Sequence, residues 1–266
     1  MRLVDSHCHL QSDRLLGEAE LLAGAARLAG VERILVPGWN VRSSEAALDL
    51  ADRVRWLDVA VGVHPHDAAE VDEVGWAQIV RLSVDARVVA IGETGLDYDR
   101  MFSPIPDQLA NLRRNLALAR ETDRPAILHC RSANGRRDAQ DALLAEVRAV
   151  PGVRPLIHSF SGSIDYAAAM IDLGATISFS GLVFRRGEET SAEVATIVPA
   201  GRVLVETDSP FLAPPAAPRR RNEPAFVAIT AAWLAERRGV EEGELGAGLV
   251  ATYDGLVQRD RAGLRP

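Results

Sequence analysis

R-L-V-D-S-H, residues 2–7, sets a pattern for the whole chain: a short apolar run closes on a polar motif and gives way to an alanine- and leucine-rich helical stretch near 17–29. The same unit recurs. Further strands are expected at V-E-R-I-L-V-P (31–37), L-D-V-A-V-G-V-H (57–64), V-V-A-I-G-E (88–93), P-A-I-L-H (125–129), V-R-P-L-I-H (153–158), A-T-I-S-F-S (175–180) and R-V-L-V-E-T-D (202–208). Between them, segments such as 104–122, 137–149 and 164–173 place apolar residues at helical spacing, as in Leu109, Leu112, Leu116 and Ala119. Eight strands each followed by a helix read as an α/β chain of the (β/α)8 TIM-barrel type, one domain over residues 1–266. The proline-rich stretch 210–224 reads as a long loop after strand eight, because helical patterning resumes at 225–238.

Composition narrows the chemistry. All 30 basic residues are arginine, which excludes Schiff-base lysine chemistry, lysine-anchored pyridoxal phosphate, the phosphate-binding P-loop and a carboxylated lysine bridging two metals. Any bridging ligand must then be a carboxylate. The N-terminus meets an acidic residue at its fifth position and no apolar run is long enough to span a bilayer, so a cytoplasmic protein without membrane contact is expected. Cys8 and Cys130 each flank a histidine, and strand alternation would turn both thiols away from it as buried, reduced side chains. A net charge of −7 argues against a general nucleic-acid coat protein but leaves room for a local phosphate site.

All six histidines fall in short motifs at predicted strand ends: His7 and His9, His64 and His66, His129, and His158. Glu93 and Asp208 occupy the same kind of position. Barrel active sites lie at the ends of the strands, so this distribution points to a metal centre of the metal-dependent hydrolase type. His7 and His9 alternate onto one strand face and can reach one ion near the barrel axis with Glu93 and Asp208. His129 and His158 end neighbouring strands and can clamp a second ion, with Glu93 giving one oxygen to each. A structural alternative for the two buried carboxylates is an ion pair with arginine.

The remaining polar residues have less specific readings. His64, beside a proline, is read as a substrate-phosphate or proton-transfer residue, and His66 as structural or supporting. Glu206, one pleat below Asp208, should hydrogen-bond a ligand, while Asp97 and Tyr98 follow Glu93 in a loop and can orient ligands, bind substrate or form a turn. Arg131, and the run Arg219, Arg220, Arg221 with Asn222, suit bidentate phosphate contacts, although an arginine run is also a common solvated face. Ser161, Gly162 and Ser163 precede a predicted helix and can form an anion site or simply cap it. With aromatic content at 5%, only Tyr98, Phe160, Phe184 and Phe211 stand out near the expected mouth.

Taken in order, D-S-H-C-H-L (5–10), G-V-H-P-H (62–66), I-G-E-T-G-L-D-Y (91–98), I-L-H-C-R (127–131), I-H-S-F-S-G-S (157–163), G-A-T-I-S-F-S-G (174–181), E-T-D-S-P-F-L-A-P (206–214) and R-N-E-P (221–224) resemble the TatD family of metal-dependent deoxyribonucleases over nearly the whole chain. Single motifs occur in other amidohydrolases; the ordered set is specific. The resemblance implies a binuclear hydrolase with ligands at His7, His9, Glu93, His129, His158 and Asp208, acting on phosphodiesters of DNA, often as a 3′-to-5′ exonuclease. Four positions depart from the family's habit. Asp99 stands where a second tyrosine is frequent, Ser159 where cysteine is, Gln11 where an acid is, and arginine replaces the glycine-lysine pair before N-E-P.

On this basis two divalent ions, magnesium, manganese or zinc, are expected to activate a water that attacks phosphorus, with Glu93, Asp208 and His64 as the catalytic groups and Asp208 as proton acceptor. Substrate contacts are expected from His64, Arg131, Arg221 and Asn222, the partner is expected to be single-stranded DNA or a 3′ end, and a monomer is the default. Hydrolysis of an amide, lactone or aminoacyl ester is the competing chemistry. A non-catalytic scaffold fits poorly with an intact ligand set, and a base deaminase would need an H-A-E or H-A-G-E glutamate that the chain lacks.

Overall fold

The computed structural model describes residues 1–218 and 221–258. Eight strands, β1 (Leu3–Asp5), β2 (Val31–Pro37), β3 (Leu57–Val61), β4 (Val88–Asp97), β5 (Ala126–Arg131), β6 (Pro155–Ile157), β7 (Thr176–Phe179) and β8 (Val203–Val205), pair in sequence order, every neighbour parallel. The ring closes where the Ser6 amide donates to Val205 O at 3.2 Å and Cys8 pairs with Ser209. Helices α1 (Ala19–Leu28), α2 (Val41–Arg53), α3 (Glu73–Ser83), α4 (Ile105–Glu121), α5 (Asp138–Arg148), α6 (Ile164–Asp172), α7 (Glu189–Ile197) and α8 (Val227–Arg238) follow the strands in turn, which makes a (β/α)8 TIM barrel.

Alternation along the strands divides the core into two layers. Val4, Leu35, Ala60, Ala90, Ile127, Leu156 and Leu204 fill the barrel interior. Their strand neighbours Leu3, Ile34, Val59, Ile91, Leu128, Ile157 and Val203 pack outward against the helices. Cys8 is buried in that outer layer and the half-buried Cys130 packs against it, both as free thiols. Helix starts are fixed by side chains that accept otherwise unpaired amides: Asn40 for α2, Asp72 for α3 and Ser163 for α6.

A ninth helix, α9 (Glu242–Leu256), had no counterpart in the expected pattern. It closes the barrel end opposite the histidine motifs, inserting Val250, Tyr253 and Leu256 into the interior layer, and the Tyr253 hydroxyl lies 2.9 Å from Asp58 Oδ2. A hydroxyl partner offsets much of the cost of burying that carboxylate.

The strand bounds differ from expectation most at β4, which runs four residues past Glu93 to Asp97. Gly95 makes this extension feasible: at φ 139° it presses on β5 so closely that a Cβ there would lie 1.9 Å from His129 O. Asp97 is therefore a fixed strand residue, not the loop residue expected. Conversely, β1, β3, β6 and β8 end before their motifs, so His7, His64, His158 and Asp208 stand on the first turns beyond the strands.

Candidate metal centre

Glu93 sits at the middle of the barrel's mouth, buried, with its two carboxylate oxygens facing different partners. Oε2 lies 3.3 Å from His7 Nε2 and 3.5 Å from His9 Nε2. These two nitrogens are 3.2 Å apart, and Asp208 Oδ1 stands 3.5 Å from His9 Nε2 and 3.8 Å from His7 Nε2. On the other side, Glu93 Oε1 lies 2.9 Å from His158 Nε2, 3.3 Å from His129 Nδ1 and 3.3 Å from His64 Nε2. His129 Nδ1 and His158 Nε2 are 3.2 Å apart. The structure thus brings all six expected ligands into one pocket.

Donor spacing tests whether a cation fits. Ligands about 2.1 Å from a tetrahedral ion lie about 3.4 Å from one another, and the separations within each cluster scatter around that value. Without an ion, these buried imidazoles and carboxylates would crowd together with lone pairs and charges only partly matched. The donor chemistry, imidazole nitrogen with carboxylate oxygen, suits a divalent transition metal.

Hydrogen bonds from behind set which ring nitrogen faces inward. Glu206 Oε1 stands 3.1 Å from His158 Nδ1 and Asp97 Oδ2 stands 3.3 Å from His129 Nε2, so each carboxylate takes the ring N–H and leaves the opposite nitrogen's lone pair toward Glu93. His64 differs. Its Nδ1 accepts from the His66 amide at 3.1 Å, so in the neutral ring Nε2 carries the proton and can only donate. His64 is therefore a poor cation ligand despite lying in a geometrically plausible group with Glu93 and His129.

The charges follow from the same contacts. Burial pushes the Glu93 carboxyl up, yet the facing His158, His64 and His7 hold it well below the ordinary range; Asp208 is held down against burial by His9 and His158. Burial opposes the charged His158 ring, but Glu93 and Glu206 raise it well above its ordinary value; His129 is likewise raised by Asp97 and Glu93, and His9 by Asp208 and Glu93. Burial lowers His7 and takes His64 down to about 4, so His64 is neutral at physiological pH.

Buried polar residues with no role assigned from the sequence hold this arrangement. Asp5 accepts from the Thr207 amide and hydroxyl at 2.9 and 2.6 Å, tying the first motif to the last. Burial pushes the Asp5 carboxyl well up. The Gln108 amide clamps Asp97, accepting from its N–H at 2.8 Å and donating to its carbonyl at 3.1 Å, and Asn111 donates to Val63 O next to His64. The available signal was Gln108, Asn111 and Asn115 interrupting the apolar stripe of α4. Asp208 itself takes a left-handed backbone, φ 54°, which aspartate tolerates, with its amide on His7 O.

Other expected residues fall elsewhere. Asn222 is buried, with its amide nitrogen donating to Thr207 O and Phe211 O and its oxygen accepting from the Glu223 amide. These hydrogen bonds shape the Asp208 loop from a buried position, where the sequence led to the expectation of a substrate contact. Arg221 pairs with Glu18 at 2.6 Å and Glu223 at 3.4 Å, and Arg131 pairs with Asp99 at 2.8 Å while remaining half exposed. Arg219 and Arg220 lie outside the described residues. Of the two readings of residues 161–163, helix capping is the one the contacts match. The Ser161 hydroxyl donates to the Glu188 carboxylate, the Gly162 amide to Ser191, and Ser163 caps α6. Phe160 is buried between Tyr166 and Phe179 rather than at the mouth. The exposed aromatics there are Phe211, 49% exposed beside His9, and Phe102, 67% exposed beside His66; Phe102 stands in none of the sequence motifs quoted above.

A barrel that gathers imidazoles and carboxylates at its strand ends, with His129 and His158 held from behind by carboxylates, defines a metal-dependent hydrolase. The family described as TatD related DNase matches residues 4–254, and the chain belongs to it. It is 36% identical over 249 residues, 90% of this chain and 91% of its relative, to a Klebsiella pneumoniae protein named 3'-5' ssDNA/RNA exonuclease TatD. It is 35% identical over 235 residues, 88% of this chain and 90% of the other, to a Bacillus subtilis protein named uncharacterized metal-dependent hydrolase YabD. The crystal structure of YjjV, a TatD homologue from Escherichia coli, superposes with a TM-score of 0.87 at 29% identity, covering 97% of this chain and 99% of that one.

Proposed function

We propose that the protein is a binuclear exonuclease that removes nucleotides from the 3′ end of single-stranded DNA by hydrolysis. The observation that carries this is Glu93, whose two oxygens serve two separate histidine pairs in one buried cluster. His7, His9, Glu93 and Asp208 would hold one ion, and Glu93, His129 and His158 the other. Divalent ions held there would supply the Lewis acidity that activates a water and neutralises charge developing on a phosphoryl group. Magnesium, manganese and zinc are the candidates.

The chain's own groups supply the rest. Asp208, ionised and at the mouth, is placed to accept a proton from an attacking water. His64, neutral with its proton on Nε2, is placed to donate to a phosphoryl oxygen. Glu206 and Asp97 hold His158 and His129 in the required tautomers. Phe102 and Phe211 offer ring faces for a terminal base, which favours a strand end over a duplex interior. Relatives of the same length named as single-strand exonucleases support this substrate. The reading extends to one domain over residues 1–266, acting as a monomer in the cytoplasm. A single barrel core and two unpaired thiols suit it, and no helix among the described residues is long and apolar enough to cross a membrane.

The test is digestion of end-labelled single-stranded DNA by metal-stripped protein re-supplied with manganese, magnesium or zinc, with Glu93→Ala alongside. A metal-dependent ladder shrinking from the 3′ end and abolished by Glu93→Ala is expected. A protein that binds two ions per chain yet cuts no oligonucleotide would move the assignment to carboxylic esters, lactones or amides.

A further inference from the structure

Between α7 and α8, on the flank of the barrel, lies a groove of about 620 Å³ that the centre above does not use. Two of its lining residues, Val183 and Phe184, belong to the turn that follows β7 on the side of the barrel where the histidine motifs lie. The turn Gly181–Phe184 leaves β7 directly against the Asp208 loop, so closely that a Cβ on Gly181 would lie 1.9 Å from Leu212 O. Phe184, at the end of that turn, packs edge-on against Trp233 of α8 with ring centroids 5.4 Å apart. Arg185 and Arg186 follow at the rim, both exposed, and Arg237 lies over the Trp233 ring at 5.8 Å. Among the described residues none of these three arginines pairs with a carboxylate.

Three guanidinium groups are thus gathered on one surface without an acid partner among the described residues. Glu189 and Glu193 line the α7 wall, so three cations against two anions leave the groove at +1, in a chain carrying −7. Guanidinium groups beside aromatic faces suit a ligand that alternates phosphates with flat rings. The volume lies within the range of about 300–1,000 Å³ typical of ligand clefts.

We infer that this groove binds the body of a single-stranded nucleic acid whose end occupies the catalytic pocket, with Arg185 and Arg186 on phosphates and Trp233 beneath a base. The inference deepens the exonuclease reading and rests on it for its substrate class. It explains how a chain of net negative charge can retain a polyanion: the contact is local and lies on the 5′ side of the cut.

Binding is measured apart from cleavage. Fluorescein-labelled oligothymidylates, a trinucleotide and a dodecanucleotide, are titrated by anisotropy against the protein in chelator across a salt series, with the surface variant Arg185→Glu/Arg186→Glu and, separately, Trp233→Phe. The wild type is expected to bind the longer strand more tightly. The double variant should lose that length-dependent gain, about tenfold or more, and its log affinity against log salt should flatten by roughly 1.4, two single-strand phosphate contacts at about 0.7 each. Trp233 emission, the difference between wild type and Trp233→Phe, should be quenched by the long strand and not by the short one. Equal affinity for both lengths, or an unchanged length gain and salt slope in the double variant, overturns the groove. A wild type that shows the length gain but cleaves nothing with any metal supports the groove and removes the exonuclease reading instead.

Discussion

Asp97 Oδ2 lies 3.3 Å from His129 Nε2, on the side of the ring away from Glu93, and the same oxygen is 2.7 Å from His66 Nε2. Burial pushes the Asp97 carboxyl up, but His129 and His66 hold it far below the usual carboxylate range, so it stays ionised and keeps the His129 proton on Nε2. Asp97→Asn replaces an acceptor oxygen with a group that can also donate. It should weaken metal binding about 10- to 100-fold at the position served by His129 while leaving the fold intact. Titration of metal-stripped protein checks this. Unchanged affinity would mean that His129 is positioned by packing alone.

His64→Ala separates a proton-donating role from ligation. Because the His66 amide occupies Nδ1, His64 should be dispensable for the metal and needed for turnover. Two ions per chain should be retained by mass spectrometry or elemental analysis, with kcat lowered by about 10²-fold or more. A variant that loses one ion would make His64 a ligand and remove the argument from its tautomer.

Metal uptake should release protons. His158, His129 and His9 are raised above their ordinary 6.5, so the metal-free pocket carries protons near neutrality that ligation displaces; His7 and His64 are lowered and contribute none. Affinity must then fall as pH falls toward 6. For metal-free stability, the raised His158 value contributes below about pH 6.5 and is lost as pH rises through the folded value. The melting-temperature gain on metal addition should accordingly be larger at pH 8 than at pH 6. Calorimetric heats identical in buffers of different ionisation enthalpy would contradict the protonation assigned to these rings.

Asn222→Ala tests the loop that carries Asp208. Losing the hydrogen bonds to Thr207 O and Phe211 O leaves the buried Thr207 carbonyl without its donor, at a cost of about 1–3 kcal/mol. Denaturant unfolding should show that loss. Metal affinity should fall with it, since the left-handed turn at Asp208 is no longer held from below. A substrate-specific effect with wild-type stability would return Asn222 to the substrate-binding role first expected of it.

What the sequence made legible was the chemistry at strand ends. Histidines and acids closing apolar runs reported the barrel and its mouth together, because period-two alternation and burial cost leave few other places for them. Residues whose meaning depends on their surroundings were not legible. An N-E-P asparagine looks like any loop amide until it is found buried, and Phe160 after His158 looks like a mouth aromatic until the turn sends it between α6 and β7. Four glycines, at 243, 246, 248 and 255, weaken the helical signal of α9. Yet Gly246 lets α9 cross the chain start, where a Cβ would lie 2.4 Å from Arg2 O.

Asp99 is the departure from family habit with a visible consequence. Its carboxylate takes Arg131 Nε at 2.8 Å, with both side chains partly exposed at the rim. An ion pair so placed stabilises the fold little, roughly 0–1 kcal/mol, but a phosphate arriving at Arg131 must compete with it. Asp99→Asn should free the guanidinium and remove a repulsive charge. Oligonucleotide affinity should rise several-fold, and its salt dependence should steepen by up to about 0.7, one added phosphate contact, while melting temperature and metal content hold. Arg131→Ala should do the reverse, and in the double variant the Asp99 effect should vanish. If Asp99→Asn strengthens binding equally with and without Arg131, the carboxylate acts through general repulsion rather than by holding this arginine.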